Sequence, residues 1–330
     1  MLNDDLHARL VRLKRSPKLE GIFELYCEES RATLKSSTRE KHLKLWLAHF
    51  ADLGKVRADK LNPLELQRQL LQKSFQQGHF HSVCSLARFT MQLLDFAQAV
   101  GVITANPLQN LFNLPLVKRA RIEENKHLRH RPTLDFYHLR RELKEVIGTF
   151  EHECCRRQQL LLEINLRTIL RPGEAVRLQI SDLDIKKHLL TVHKTKTKEV
   201  FVIPTFASLE HALTEAYTLF GSSSGWIFAG LRNPQKHIST QALNKALKDH
   251  GYKDKLTPHG LRSVAANFFA RHHTKVPPYV AEACLQHSCH NAAVVRAYRR
   301  DDYLYARKRA MKLFNEWIDG IYAEVRGQER

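Results

Sequence analysis

Through residues 1–110 apolar side chains recur at helical spacing and strand-like alternation is absent, which confines this part of the chain to packed helices. Ser37-Thr38-Arg39-Glu40 reads as a capping box, in which serine and glutamate satisfy each other's free backbone donors. Leu43, Trp46, Leu47 and Phe50 follow at i, i+3, i+4 and i+7, and Gly54 ends the run. Asn62-Pro63 opens a second helix with proline at its first position. Gly78 separates it from a third, predicted over 82–100, with Val83, Leu86, Leu93 and Leu94 available to a core.

The second half is mixed. Residues 159–170, QLLLEINLRTIL, predict an apolar helix running into Arg171-Pro172-Gly173-Glu174. Two β-branched, apolar runs at 189–193 and 199–204 bracket Lys194-Thr195-Lys196-Thr197-Lys198, the pattern of a β-hairpin with a lysine-rich tip. Helices dominate from there to the end. The last one carries Met311, Phe314, Ile318, Ile321 and Val325 as an apolar stripe, which can cover the chain's own core. The expected fold is therefore mainly α with a small β-hairpin or sheet in the second domain, an α+β chain.

A length of 330 residues fits two domains, and 43% hydrophobic residues suffice to bury a core in each. The stretch VKRARIEENKHLRHR has six Lys/Arg, two Glu and little apolar content, and reads as an exposed basic connector. The expected boundaries are a helical domain over 1–115, a linker over 116–131 and a second domain over 132–330.

Charge narrows the partners. The chain has 53 Lys and Arg against 34 Asp and Glu, a net +19. Residues 1–131 hold 22 basic and 13 acidic side chains and residues 132–330 hold 31 and 21, so both halves are basic. Two basic halves suggest two surfaces that face one polyanion, with Lys118, Arg119, Arg121, Lys194 and Lys198 as candidate contacts. No apolar run approaches the ~20 residues of a membrane span. The N-terminal MLNDDLHARLVRLKRSPK lacks the pattern of a signal peptide, and the expected location is cytoplasmic and associated with the polyanion. The six cysteines form no disulfide framework. Cys284, His287, Cys289 and His290, with His152, Cys154 and Cys155, have the residue types of a zinc site but not its two compact ligand clusters, so no metal is expected.

Cutting a phosphodiester without a metal requires a nucleophile, cations around the phosphate and a proton donor for the departing oxygen. The second half offers such a set at four places: Arg171 at a helix break, Lys196 at a hairpin tip, His259 and Arg262 on one helical face, and His287 and Tyr298 near the end.

INLRTILRPGEAVRLQISDLDI, HKTKTKEVFVIP, TPHGLRSVAANFF and LQHSCHNAAVVRAYRRDDYLYARKRAMKLFNEW together resemble, in order, the signature boxes of the tyrosine recombinase or phage integrase family. The resemblance covers residues 130–330 and extends more loosely to the first half, which is similar to the family's core-binding domain. It implies that Arg171 and Arg262 clamp the scissile phosphate of double-stranded DNA and that Lys196, with Lys194 as alternate, protonates the leaving 5′-oxygen. It implies acid–base work for His259, a hydrogen bond from His287 to the phosphate, and attack by Tyr298 to form a 3′-phosphotyrosyl link. Glu174, and Asp182 with it, would orient the arginine. The implied assembly is a homotetramer on DNA, in which the apolar stripe of the last helix would instead dock on the neighbouring protomer, with an accessory DNA-bending or excision factor as a further candidate partner and no cofactor, metal or ATP. A relaxing enzyme of the type IB topoisomerase kind, or a DNA-binding regulator without activity, would share much of this pattern.

Three departures from the family pattern stand out. Thr168-Ile169-Leu170 replaces a Thr-Gly, Leu285-Gln286-His287 replaces Leu-Gly-His, and the eleven residues from His287 to Tyr298 are slightly more than usual. The last leaves Tyr303 and Tyr305 as fallback nucleophiles.

Overall fold

Helices α1 (Leu2–Arg15), α2 (Leu19–Thr33), α3 (Ser36–His49), α4 (Pro63–Leu66), α5 (Gln72–Gln76), α6 (Phe80–Ala99) and α7 (Pro115–Arg129) belong to the first of two units, Met1–His130. The second unit is Arg131–Arg330. The structure, a computed structural model, describes residues 2–50, 52–129, 133–193, 200–286 and 303–327.

In the first unit α6 is central, because Val83, Leu86, Phe89, Leu93 and Leu94 place an apolar face against α2 and α7. Phe89 meets Phe23, Tyr26 and Phe50 edge-on, and Trp46 stacks 4.2 Å from Phe23 and 5.3 Å from Phe50. This aromatic cluster decides which way α3 faces, and it corrects the expected stripe. His42, Trp46 and Phe50 turn inward, while Leu43 and Leu47 stay exposed. Aromatic rings bury more area than two leucines and gain further from edge-to-face packing. The predicted capping box at Ser37 is also replaced. The helix begins two residues earlier, with Lys35 at the cap position, and it is Ser36 Oγ that donates to Glu40 Oε1 at 3.0 Å. Asn62 caps α4 as expected, its Oδ1 accepting from the Leu64 and Glu65 backbone N–H groups.

The basic stretch expected to be a connector is helical up to Arg129 and belongs to the first unit. Val117, Ala120 and Glu124 fall on one face and are buried, the first two in the core beside α6. Glu124 accepts from Arg88 and pairs with His81, both on α6. Lys118, Arg119 and Arg121 point outward, Arg119 over the Phe75 ring and Arg121 over that of Phe112.

The second unit is built around α9 (Arg156–Thr168), in which every residue from Leu160 to Thr168 is buried. A helix enclosed on all sides must pair its polar groups internally. Here Arg167 pairs with Glu163 at 2.9 Å and with Asp319 at 2.8 Å, and lies over the Tyr322 ring. Around it pack α8 (Leu139–Glu153), α11 (Ala207–Phe220), α12 (Ala242–Leu247), α13 (Pro258–Arg271) and the terminal α15 (Leu304–Val325). The shorter α10 (Pro172–Ala175) and α14 (Pro278–Cys284) complete the helices used below.

The predicted hairpin is the middle and one edge of a three-stranded antiparallel sheet, β1 (Leu183–Asp184), β2 (Leu189–Val192) and β3 (Phe201–Pro204), with Leu190 opposite Ile203 and Val192 opposite Phe201. Its tip, with Lys194, Lys196 and Lys198, lies outside the described residues. Of the two uses open to the final apolar stripe, the structure takes the first. Met311, Phe314, Ile318 and Ile321 are buried in the unit's own core and Val325 is partly buried there, with Phe314 5.3 Å from Phe268.

Candidate active site

Two backbone breaks set the site. α9 ends at Ile169, which adopts a left-handed φ of 55°. Arg171 is extended because it precedes Pro172, whose ring disfavours a helical residue before it. α14 runs out at Leu285, and the next residue, Gln286, is again left-handed, with φ 51°. Left-handed backbone in a β-branched residue and in a glutamine costs free energy that surrounding contacts must offset.

Those contacts are with two arginines. Arg262 Nη1 donates to the Ile169 carbonyl at 2.5 Å, and its Nη2 donates to the Leu285 carbonyl. Arg171 Nη1 donates to Glu174 Oε1 at 3.1 Å and to Gln286 Oε1 at 2.6 Å, and its Nη2 reaches the Gln286 carbonyl at 3.4 Å. Consecutive carbonyls at 285 and 286 thus hold the two guanidiniums, and the Ile169 carbonyl ties Arg262 to the break after α9 that carries Arg171. Each arginine fixes the turn that the other depends on.

The electrostatics are those of an anion site. Arg262 is 4% exposed. Burial, and next the charge of Arg171, pull its pKa down to about 10, with Glu174 opposing the fall. A planar fork that is charged at neutral pH is the side chain suited to phosphate oxygens, and two of them beside one carboxylate call for a negative partner.

His259 stands one turn before Arg262 at the start of α13, which Thr257 caps by accepting from the Gly260 N–H at 3.1 Å, with Pro258 at the first position. It is exposed, at the end of the helix where the backbone dipole favours negative charge. Glu174 Oε1 accepts from the guanidinium of Arg171, and its Oε2 accepts from the Arg171 N–H. Asp182 accepts from the Gln179 N–H at 2.8 Å and lies 3.8 Å from His193, next to the Val192 end of β2. Both carboxylates line one small cavity of about 30 Å³ with Arg177, Gln179 and His193.

Lys196, its neighbours Lys194 and Lys198, His287 and Tyr298 lie outside the described residues. Their flanks are described: Val192 and Phe201 close the hairpin, and Gln286 immediately precedes His287. Of the fallback tyrosines, Tyr303 enters α15 with φ 54° and Tyr305 is exposed. Among the described residues no three His, Cys, Asp or Glu side chains cluster as metal ligands. Cys284 is buried, and burial pushes its thiol up to about 12; His287, Cys289 and His290 fall outside the described residues.

Gln286 and the Ile169 carbonyl have no role in the sequence reading. The only signal for either was a departure, a residue with a side chain where the family pattern has glycine.

Comparison with known proteins agrees with this arrangement. Residues 140–304 match the model of the phage integrase family, a segment containing both arginines, His259 and Tyr298. The prophage integrase IntA of Escherichia coli (strain K12) is 26% identical over 278 residues, 80% of this chain and 61% of that protein, so the chain spans under two thirds of its length. Among solved structures, a lambda integrase (75–356) dimer bound to a COC' core site aligns with TM-score 0.63 at 19% identity, covering 87% of this chain and 96% of that one. A lambda integrase tetramer bound to a Holliday junction aligns with TM-score 0.60 at 18% identity, over 90% and 78%. These two share the fold, and since the family model spans half of the 330 residues and brackets the site, the chain belongs to the phage integrase family.

Proposed function

We propose that this chain is a site-specific tyrosine recombinase, an integrase that cuts and rejoins double-stranded DNA through a 3′-phosphotyrosyl intermediate to integrate or excise a mobile element. The observation that carries the reading is the cross-braced pair Arg171 and Arg262, whose mutual repulsion a bound phosphodiester relieves. In the reaction the Tyr298 hydroxyl attacks phosphorus, and the bond from phosphorus to the 5′-oxygen breaks. His259 takes the tyrosine proton and Lys196 gives one to the departing oxygen. Arg171 and Arg262 oppose the charge that grows on the non-bridging oxygens, and His287 adds a hydrogen bond. Attack by a 5′-hydroxyl of the exchanged strand reverses these steps. Each phosphodiester lost is regained, so the chemistry requires neither ATP nor a metal.

In this reading the first unit is the core DNA-binding domain and the second the catalytic domain. Lys118, Arg119 and Arg121 on α7, with Lys194 and Lys198 on the hairpin, would contact the phosphate backbone. The lambda integrase tetramer bound to a Holliday junction supports a homotetramer on two recombination sites. An accessory DNA-bending or excision factor is a further expected partner, and the setting is cytoplasmic, on DNA.

The test is a nicked suicide substrate made from the ends of the candidate element, incubated in EDTA with the wild type and with Tyr298→Phe. The expected result is a covalent protein–DNA band lost in the variant. Binding without any adduct would favour the inactive regulator. An adduct that survives Tyr298→Phe moves the nucleophile to Tyr303 or Tyr305. Relaxation of supercoiled DNA without site preference would favour the topoisomerase-like alternative.

A further inference from the structure

We propose that Gln286 is a working part of the phosphate clamp: it positions Arg171 through its side-chain and main-chain oxygens and donates from Nε2 to an oxygen of the same phosphate. The proposal rests on the phosphate-clamp reading of Arg171 and Arg262.

Three observations carry it. The first is backbone. Gln286 sits at φ 51°, a conformation open to glycine without strain. A glutamine there loses conformational free energy and needs a contact that only its side chain can make. The second is that contact. Gln286 Oε1 accepts from Arg171 Nη1 at 2.6 Å, a charge-assisted bond at the short end of the range, and the Gln286 carbonyl takes Arg171 Nη2. The third is what remains of the amide. A guanidinium only donates, so the oxygen must face Arg171 and the nitrogen is left for another acceptor. Nε2 is shielded from solvent and has no hydrogen-bond partner among the described residues. A buried donor of this kind costs free energy until an acceptor arrives.

The chemistry of the acceptor follows from the neighbours. Leu285 and Gln286 hold the two arginines through successive carbonyls, so the amide belongs to the turn that both guanidiniums share. A phosphodiester brings two non-bridging oxygens with more lone pairs than two arginine forks fill, and a neutral donor adds to the clamp without adding repulsion.

Two substitutions separate the parts of the idea. Gln286→Gly relaxes the backbone and removes the side chain. Gln286→Glu keeps an acceptor for Arg171 but replaces the donor with a negative charge. Both are read with the wild type by melting temperature, DNA dissociation constant and single-turnover rate of covalent adduct formation on the suicide substrate. The expected order of rates is wild type, then Gly, then Glu. By analogy with loss of one transition-state donor, the Gly variant should be slower by at least about tenfold and the Glu variant by about a hundredfold or more. Melting temperature and dissociation constant of the Gly variant should stay near wild type, which a merely structural role would not produce. A Gly variant that cleaves at the wild-type rate overturns the proposal. A Glu variant that cleaves as fast as Gly or faster overturns the donor role. Failure of the wild type itself to form an adduct would sink the recombinase reading and this proposal together, and is told apart because no variant is involved.

Discussion

A guanidinium that is 4% exposed and repelled by a second one is held in place against its own charge. Arg262 stays because two carbonyls accept its donors in a fixed geometry, a task for a planar fork. Arg262→Lys keeps the charge but offers a single ammonium that cannot serve both carbonyls and a phosphate. The expected outcome is DNA binding close to wild type and a single-turnover cleavage rate lower by about 10²–10³, the cost of one lost transition-state donor. The pH dependence has a definite sign. The folded pKa of about 10 lies below the ordinary 12.5, so the buried charge costs stability at neutral pH, and that cost is relieved only as pH rises from about 10 toward 12.5. The gain in melting temperature from added sulfate, taken as wild type minus the neutral variant Arg262→Gln, should therefore hold through pH 9 and shrink above pH 10. A gain that is flat across pH 10 would show that sulfate does not bind at Arg262. At this scale the sequence was legible as residue types, since an arginine box states its chemistry. What it could not show was the sign of φ at Ile169 and Gln286. With glycine absent, no residue announces a left-handed turn, and the contact that offsets the strain joins residues 115 positions apart.

The elements differ in how openly they declare a face. In α15 every buried position of the stripe was readable, because apolar residues at helical spacing stand among charges and pack on a core assembled from α8, α9 and α13. In α3 the same rule pointed to Leu43, Trp46, Leu47 and Phe50, and the fold kept Trp46 and Phe50 but took His42 instead of the two leucines. Local spacing cannot weigh a leucine against an aromatic stack that forms only with Phe23 and Phe89 from other helices. In α7 the buried face includes Glu124, whose partners lie on α6, so a polar residue was counted as solvated. The test of α15 as a core element is Phe314→Ala, since Phe314 is fully buried between Phe268 and Phe269. Truncating such a ring should cost about 3–5 kcal/mol, seen as a lower denaturant midpoint. A loss below about 1 kcal/mol, the scale of a surface change, would mean that the helix is not docked on this core.

For the molecule as a whole, charge is the property shared by two units with separate cores. A net +19 divided almost evenly makes sense if each unit meets the same polyanion, since one basic half would suffice to hold a chain on DNA. The exposed cations of α7 are the place to ask whether the first unit takes part. Lys118, Arg119 and Arg121 are exposed, while Val117 and Ala120 on the other face anchor the helix, so charge can be removed there without touching the core. Replacing all three with glutamine loses two cation–π contacts at exposed sites, each worth about 0.5–1 kcal/mol, and should leave the fold intact. Each phosphate contact releases counterions, so losing three should reduce the slope of log affinity against log salt by about 3. Binding should weaken on specific and unrelated DNA alike, because phosphate contacts position a protein without reading bases. Adduct formation at saturating protein should stay at the wild-type rate, since these side chains belong to the other unit from Arg171 and Arg262. An unchanged slope would take α7 off the DNA and leave the basic charge of the first unit to some other face.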